Sequence, residues 1–161
     1  MIILVNTKNC VCAPPHLCIN KKHKHMKKQT IVTVASIGFI LLSAFSLLSV
    51  SVMAFFSPQA VMDLVGVQLN NTDAFSSIRG VYGGVGLTLT ISLIYLMVKD
   101  RKRGLAFLCL LWGLYAMSRI ITIFAEGTLG AFGTQWLYTE ITFFAIAAVL
   151  LFSNRKPAIA A

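Results

Sequence analysis

The chain alternates long apolar stretches with short polar segments. Four mostly apolar runs occupy residues 31–56, 78–98, 105–125 and 135–152. A helix needs about 20 residues, at about 1.5 Å each, to cross a hydrocarbon core of about 30 Å. Lipid leaves helices and closed barrels as the only spanning structures, and the runs lack the alternation that is typical of barrel strands. The pattern therefore predicts an all-α integral membrane protein that folds as an antiparallel four-helix bundle.

Composition agrees with one membrane domain and no soluble one. Of the 161 residues, 57% are hydrophobic and only 12% are charged. A soluble domain of this length carries more charge. We expect a four-span domain over residues 30–156, a basic tail over residues 1–29 and a short tail over residues 157–161.

Positive charge is concentrated between the apolar runs. Of the 14 basic residues, all but Arg79 and Arg119 precede the first run, link the second to the third, or follow the fourth. The positive-inside rule then predicts a cytoplasmic (inner) membrane protein with both termini in the cytoplasm. These segments lack the aromatic platforms of nucleic-acid surfaces, so we expect membrane lipids and no nucleic acid as partners. A membrane-protein partner or a homo-oligomer remains open.

The amino-terminal tail differs from the rest of the chain. It holds all of the histidines and three of the four cysteines, namely Cys10, Cys12, His16, Cys18, His23 and His25. Zinc is held by such side chains, but their spacing matches no standard finger or ribbon. We therefore predict that the tail is disordered and holds no metal. The alternative is that translation begins at Met26, because a methionine, two lysines and an apolar run are typical of an amino-terminal membrane signal.

The segment between the first two runs contains signals for a short helix and for a cap. Ser57 and Pro58 are suited to the N-cap and first position of a short interfacial helix, which would either cover a pocket or seal the edge of the bundle. Asn71 or Asp73 is expected to cap the second spanning helix.

The second run is rich in glycine. Gly80 and Gly84 have the GxxxG spacing, and Gly83 and Gly86 lie close by. A phosphate-binding loop would follow a strand and open a soluble helix, and neither context is present. We therefore interpret all four glycines as helix-packing residues.

Four charged residues lie in or beside the apolar runs, namely Arg79, Arg119, Glu126 and Glu140. Arg119 lies about 9 Å from the end of its run and Glu140 about 7.5 Å from the start of the next. These matching depths predict an ion pair, because an isolated charge in a membrane is costly. Arg79 and Glu126 are expected to join it in one cluster near the outer leaflet, flanked by Tyr115 and Trp136.

This cluster supports two interpretations. It is either an ion-pair network that holds the helices in register, or an outward-facing pocket for an anionic or amphiphilic ligand or headgroup. We expect a noncatalytic accessory or ligand- or lipid-binding component without a cofactor. Thiol chemistry needs a Cys-x-x-Cys pair, which the chain lacks. A catalytic metal needs a His or carboxylate cluster, and all three histidines lie in the amino-terminal tail. The alternative is a small proton-coupled transporter that uses Glu140.

Several of these residues carry a family resemblance. They are Arg79-Gly-Val-Tyr-Gly-Gly, the segment from Gly113-Leu-Tyr-Ala-Met-Ser-Arg119 to Glu126-Gly127, and Glu140. Over roughly residues 26–155 the chain resembles the bacterial four-span membrane proteins grouped as domain of unknown function 4345. The resemblance implies a four-helix membrane protein and no particular activity. More distantly, the layout is similar to the DoxX-like four-helix membrane proteins, some of which are associated with quinone or thiol redox systems.

Overall fold

The computed structural model describes the backbone of residues 15–154 and the side chains of residues 29–154. Within these limits the chain is helical and contains no strand, which confirms the all-α prediction. The helices are α1 Pro15–Phe56, α2 Pro58–Asp63, α3 Thr72–Ile78, α4 Gly86–Lys99, α5 Arg101–Ala125 and α6 Ala131–Ser153. A π-helical segment, Arg79–Val85, joins α3 to α4 without a break.

Four helical segments of the described chain are long and apolar enough to cross a membrane. They are Gln29–Phe56, Thr72–Lys99, Arg101–Ala125 and Ala131–Ser153. Each contains one of the four apolar runs of the sequence, and such helices indicate a membrane protein. Helix α1 packs against α4, and α5 packs against both α4 and α6. The chain reverses between consecutive spans, through residues 57–71, Asp100 and residues 126–130, so the bundle is antiparallel.

The second and third spans begin before their apolar runs, where polar side chains cap them. Asn71 Oδ1 accepts a hydrogen bond of 2.8 Å from the backbone N–H of Ala74, so the predicted cap of the second span is confirmed. Asp100 Oδ1 accepts from the backbone N–H groups of Lys102 and Arg103 at 3.1 and 3.2 Å and starts α5. Both side chains satisfy donors that have no partner within the first turn of their helix.

Helix α1 begins earlier than the sequence indicated. It starts at Pro15, within the tail for which we expected disorder. Lysine is a good helix former and proline is tolerated in the first turn, so the helix does not need an apolar face there. The cysteines and histidines of the tail, Met26 and residues 157–161 lie outside the residues whose side chains the structure describes.

We call the end of the bundle that holds the α4–α5 link and Asn154 the basic end. Its core combines all four spans and consists of Phe39, Ile40, Ala44, Leu93, Leu105, Leu108, Trp112 and Ala147. Asn154 Nδ2 donates a hydrogen bond of 2.9 Å to Ser36 Oγ, which joins the end of α6 to α1. This half of the bundle is filled by side chains.

We call the opposite end, which carries α2, the α2 end. A separate small core of Ala54, Val61 and Met62 lies there, between α2 and the end of α1. The predicted short helix after Pro58 is thus confirmed, and it folds back over the bundle. The two cores do not merge.

Only two of the four predicted packing glycines lie at a helix contact within the chain. A Cβ atom on Gly83 would lie 3.1 Å from the Phe55 ring, and one on Gly86 would collide with Ser51 Oγ. In the described structure, a Cβ on Gly80 or Gly84 would meet nothing within 4 Å. Both glycines lie in the π-helical segment, whose wider turns change which residues share a face and so break the GxxxG register of an α-helix.

Candidate functional site

A cavity of about 260 Å³ lies between the two cores, in the half of the bundle nearer the α2 end. All four spans and α2 contribute to its wall. The polar and aromatic lining consists of Ser46, Tyr82, Trp112, Tyr115, Arg119, Phe132, Trp136 and Glu140. The aliphatic lining consists of Leu47, Val50, Val61, Met62, Leu64 and Val65. The cavity is therefore largely apolar and contains a single ion pair.

The ion pair joins Arg119 of α5 to Glu140 of α6. Arg119 Nε donates to both carboxylate oxygens of Glu140 at 2.9 Å. The side chain of Glu140 is only 3% exposed, whereas that of Arg119 is 26% exposed. The pair is thus asymmetric, because the carboxylate is buried and the guanidinium reaches the cavity surface.

Helical periodicity places the aromatic residues beside this pair. Trp112 and Tyr115 precede Arg119 by seven and four residues and share its face of α5. Phe132 and Trp136 precede Glu140 by eight and four residues and share its face of α6. The rings contact one another, with centroids 6.1 Å apart both for Trp112 and Tyr115 and for Phe132 and Trp136. The result is two aromatic walls that meet at the ion pair.

Two of the charged residues that we expected in the cluster do not take part in it. Arg79 is exposed, and its Nε donates a hydrogen bond of 3.1 Å to the carbonyl oxygen of Phe55. The carbonyl groups at the end of a helix lack partners and attract cations, so Arg79 caps α1. Glu126 is exposed at the C-cap of α5, beyond the last helical turn. Among residues 29–154, neither residue forms an ion pair, and the expected four-charge cluster is corrected to one pair.

The matching family model decides the classification. The model named Domain of unknown function (DUF4345) matches residues 36–151, which is most of the chain. The chain belongs to the DUF4345 family. No protein of curated function and no solved structure gives a significant match. The matched region contains the Arg119–Glu140 pair and the whole lining of the cavity, but the family carries no assigned activity.

In this DUF4345 domain, α2 and the turn after it cover one side of the cavity. Val61 and Met62 of α2 are buried and line it. The side chain of Gln59 holds the following turn, because its Nε2 donates to the carbonyl of Val67 at 3.0 Å and its Oε1 accepts from the N–H of Leu69 at 2.9 Å. We call residues 58–69 the lid.

Gly66 closes the helix of the lid. Its φ of 71° lies in the left-handed region, where glycine is favoured. The N–H of Val67 reaches the carbonyl of Met62, and the N–H of Gly66 reaches that of Asp63, both at 3.1 Å. This is a Schellman motif, in which a glycine just after the helix lets the chain satisfy the last carbonyl groups.

The cavity is open along one edge. Tyr82, Tyr115, Leu64 and Val65 line the cavity and are also exposed. Tyr82 comes from the π-helical segment, whose extra residue per turn brings this side chain to the cavity while Gly83 contacts Phe55. π-helical turns are frequent at functional sites, and here the turn supplies part of the wall.

Sequence reasoning identified four of the lining residues, namely Tyr115, Arg119, Trp136 and Glu140. Trp112 and Phe132 were missed although they lie one turn further along the same faces, so the helical spacing could have found them. The short helix after Pro58 was predicted either to cover a pocket or to seal the bundle edge, and its residues Val61 and Met62 line the cavity. Tyr82 had no such signal, because its position depends on the π-helical turn. Within residues 29–154, no group of three His, Cys, Asp or Glu side chains is placed to hold a metal ion.

Proposed function

We propose that this DUF4345 domain is a multi-pass protein of the cytoplasmic membrane that binds an amphiphilic ligand or lipid in its cavity and has no catalytic role. Both termini lie in the cytoplasm, so the α2 end faces the outside, as the distribution of basic residues favours. The cavity then opens in the outer half of the membrane. The polar part of the ligand lies at Arg119 and its apolar part lies against the aliphatic lining.

The observation that carries this proposal is a cavity next to the ion pair that the side chains of residues 29–154 leave open. Interiors of helix bundles are close-packed, so such a space forgoes contacts that side chains could make. A purely structural ion pair needs no cavity around it. The basic end shows that the same helices pack without one, since its core residues Ile40, Leu93, Leu105 and Leu108 are fully buried.

The test uses the only two tryptophans of the chain, Trp112 and Trp136, both of which line the cavity. In a Trp136→Phe variant the remaining fluorophore is Trp112, which is only 5% exposed. The surrounding helices keep Trp112 away from lipid, so a quencher approaches it most closely when bound in the cavity. Dodecyl amphiphiles brominated at the third and fourth carbons are titrated into the protein in lipid nanodiscs, and saturable quenching is expected.

A matched pair of serines controls this experiment. Ser46 lines the cavity, whereas Ser49, on the same helix, is exposed and does not. Each donates its hydroxyl to the carbonyl four residues earlier. Ser46→Phe fills the cavity and should abolish the saturable quenching, whereas Ser49→Phe should leave it unchanged. Quenching that rises linearly and equally in both variants would contradict binding in the cavity.

A proton-coupled transporter that uses Glu140 is the second candidate. It is favoured by the position of Glu140, a buried carboxylate on the cavity wall. Transport also needs a passage to the basic end, where the core is packed, so the observations favour binding. Proton flux into liposomes in the presence of the amphiphiles, lost in Glu140→Gln, would support transport instead.

A further inference from the structure

The hydrogen-bonding groups of the cavity indicate the chemistry of the ligand. Arginine carries five N–H donors. Both recorded hydrogen bonds of Arg119 come from Nε, so the four N–H groups on Nη1 and Nη2 are not used by Glu140. Arg119 lines the cavity and its side chain is 26% exposed. The flat outer edge of the guanidinium is therefore available to a ligand.

The other polar groups of the cavity are mostly donors as well. The indole N–H of Trp136 can only donate, and the hydroxyl groups of Tyr82 and Tyr115 can donate. Among residues 29–154, none of these three groups forms a hydrogen bond with another residue. Tyr82 and Tyr115 are exposed, and no buried polar side-chain atom of a less exposed residue such as Trp136 lacks a partner. They are thus accessible. The only charged acceptor, Glu140, is 3% exposed and already receives the Nε proton of Arg119 on both oxygens.

We infer that the ligand is a single-chain amphiphile with an oxyanion headgroup of the carboxylate or phosphate class, bound by Nη1 and Nη2 of Arg119. This inference rests on the proposed binding function and specifies its ligand. A planar guanidinium edge recognises an oxyanion through two parallel hydrogen bonds, and such bonds are stronger than neutral ones. Glu140 keeps its bond to Nε and holds the guanidinium in position.

The size of the cavity suits the head and first carbons of such a molecule. About 260 Å³ corresponds to roughly nine water molecules at about 30 Å³ each. A long acyl chain does not fit completely and leaves through the open edge. That edge is apolar at Leu64 and Val65, which are exposed and line the cavity. The headgroup is thus held inside and the end of the chain lies in the membrane.

The test compares four probes in the wild-type protein, which keeps the Trp136 donor, with quenching of Trp112 and Trp136 as the readout. All four carry the same dibrominated dodecyl chain and differ in the headgroup, which is a carboxylate, a phosphate monoester, an alcohol or a trimethylammonium. We expect the carboxylate and the phosphate to reach half-saturation at a concentration at least about tenfold below that of the alcohol, because hydrogen bonds between charged groups are stronger than those to a neutral hydroxyl. The ratio between the two anions distinguishes a fatty-acid-like source from a lipid-phosphate-like one.

The outcomes separate the two proposals. Alcohol or ammonium probes that bind as tightly as the anions would overturn the oxyanion inference and leave the binding function standing. The absence of saturable quenching by every probe would overturn both.

Two variants give a further test through the sign of their effects. Arg119→Lys keeps the positive charge but removes the planar edge, so the affinity for the carboxylate should fall about tenfold while that for the alcohol is unchanged. Glu140→Gln keeps an oxygen that can accept from Arg119 Nε and removes the negative charge that repels an anionic ligand. The carboxylate probe should therefore bind several-fold more tightly to this variant. A cation-binding site would respond in the opposite direction to Glu140→Gln. Weaker binding of the carboxylate by a folded Glu140→Gln variant would overturn the inference.

Discussion

The two ends of the bundle are built from the same four helices but differ in how the space between them is filled. At the basic end, apolar side chains from all four spans meet in one core. At the α2 end, a cavity of about 260 Å³ separates that core from the small one beneath α2. Packing thus fixes the helices at one end and leaves room for a ligand at the other.

Among residues 29–154, each end has one ion pair, and the two pairs differ in environment. At the basic end, Arg103 Nε lies 3.1 Å from Asp100 Oδ2, and the two side chains are 80% and 44% exposed. Exposed pairs contribute about 0–1 kcal/mol because solvent screens them. The pair of Arg119 and Glu140 is mostly buried. Breaking a buried pair leaves a charge without compensation, which costs about 3–5 kcal/mol in soluble proteins.

The largest predicted effect is therefore the loss of one member of the buried pair. Arg119→Met and Glu140→Gln should each lower the free energy of unfolding, and Arg119→Met more so because it leaves the buried carboxylate without a partner. We expect a loss of about 3 kcal/mol for Arg119→Met, and a double variant that loses less than the sum of the two singles. A double-mutant cycle on unfolding in detergent measures this coupling.

The exposed pair provides the matched control for that cycle. Arg103→Met removes a cation of the same type from the basic end and should change the stability by less than about 0.5 kcal/mol. Additive effects of Arg119→Met and Glu140→Gln, or an equal loss for Arg103→Met, would show that burial of the pair contributes nothing.

A smaller effect is expected from truncating apolar side chains at the two ends. Leu93 is fully buried in the basic-end core, so Leu93→Ala creates a new void and should cost about 2 kcal/mol. Val50 already lines the cavity, so Val50→Ala only enlarges it and should cost about 0.5 kcal/mol. The midpoint of thermal unfolding in the same detergent gives both values. Equal losses would mean that the cavity is closed and packed in solution.

The spans and the central ion pair could be predicted from the sequence because both follow from local rules. Apolar run length determines where a helix crosses the membrane, and equal depths on neighbouring antiparallel helices bring Arg119 and Glu140 together. Tyr115 and Trp136 each lie four residues before a member of the pair, so helical spacing puts them on the same faces, and both line the cavity.

The rest of the site depends on contacts that sequence spacing does not encode. The GxxxG spacing of Gly80 and Gly84 predicted a helix contact, but a π-turn shifts the contact to Gly83 and Gly86. Arg79 was expected near Glu140, but the unpaired carbonyl of Phe55 at the end of α1 binds it instead. The cavity itself arises because α2 folds back over the bundle, and no residue pattern gives the volume beneath it.

The smallest predicted effect concerns the lid. Gly66→Ala forces a side chain into the left-handed conformation at φ 71°, which costs about 1 kcal/mol. The strain is confined to the Schellman motif and to the turn held by Gln59, so the spans should keep their stability. We expect faster amide hydrogen exchange at Gly66, Val67 and Leu69, and unchanged exchange in α5. Gly80→Ala is the control, because its added methyl group meets nothing within 4 Å and the backbone there is right-handed. Gly80→Ala should leave amide exchange in the lid unchanged. Two results would show that the lid does not move as a separate unit at the α2 end: equally faster lid exchange in both variants, or faster exchange throughout α5 in Gly66→Ala.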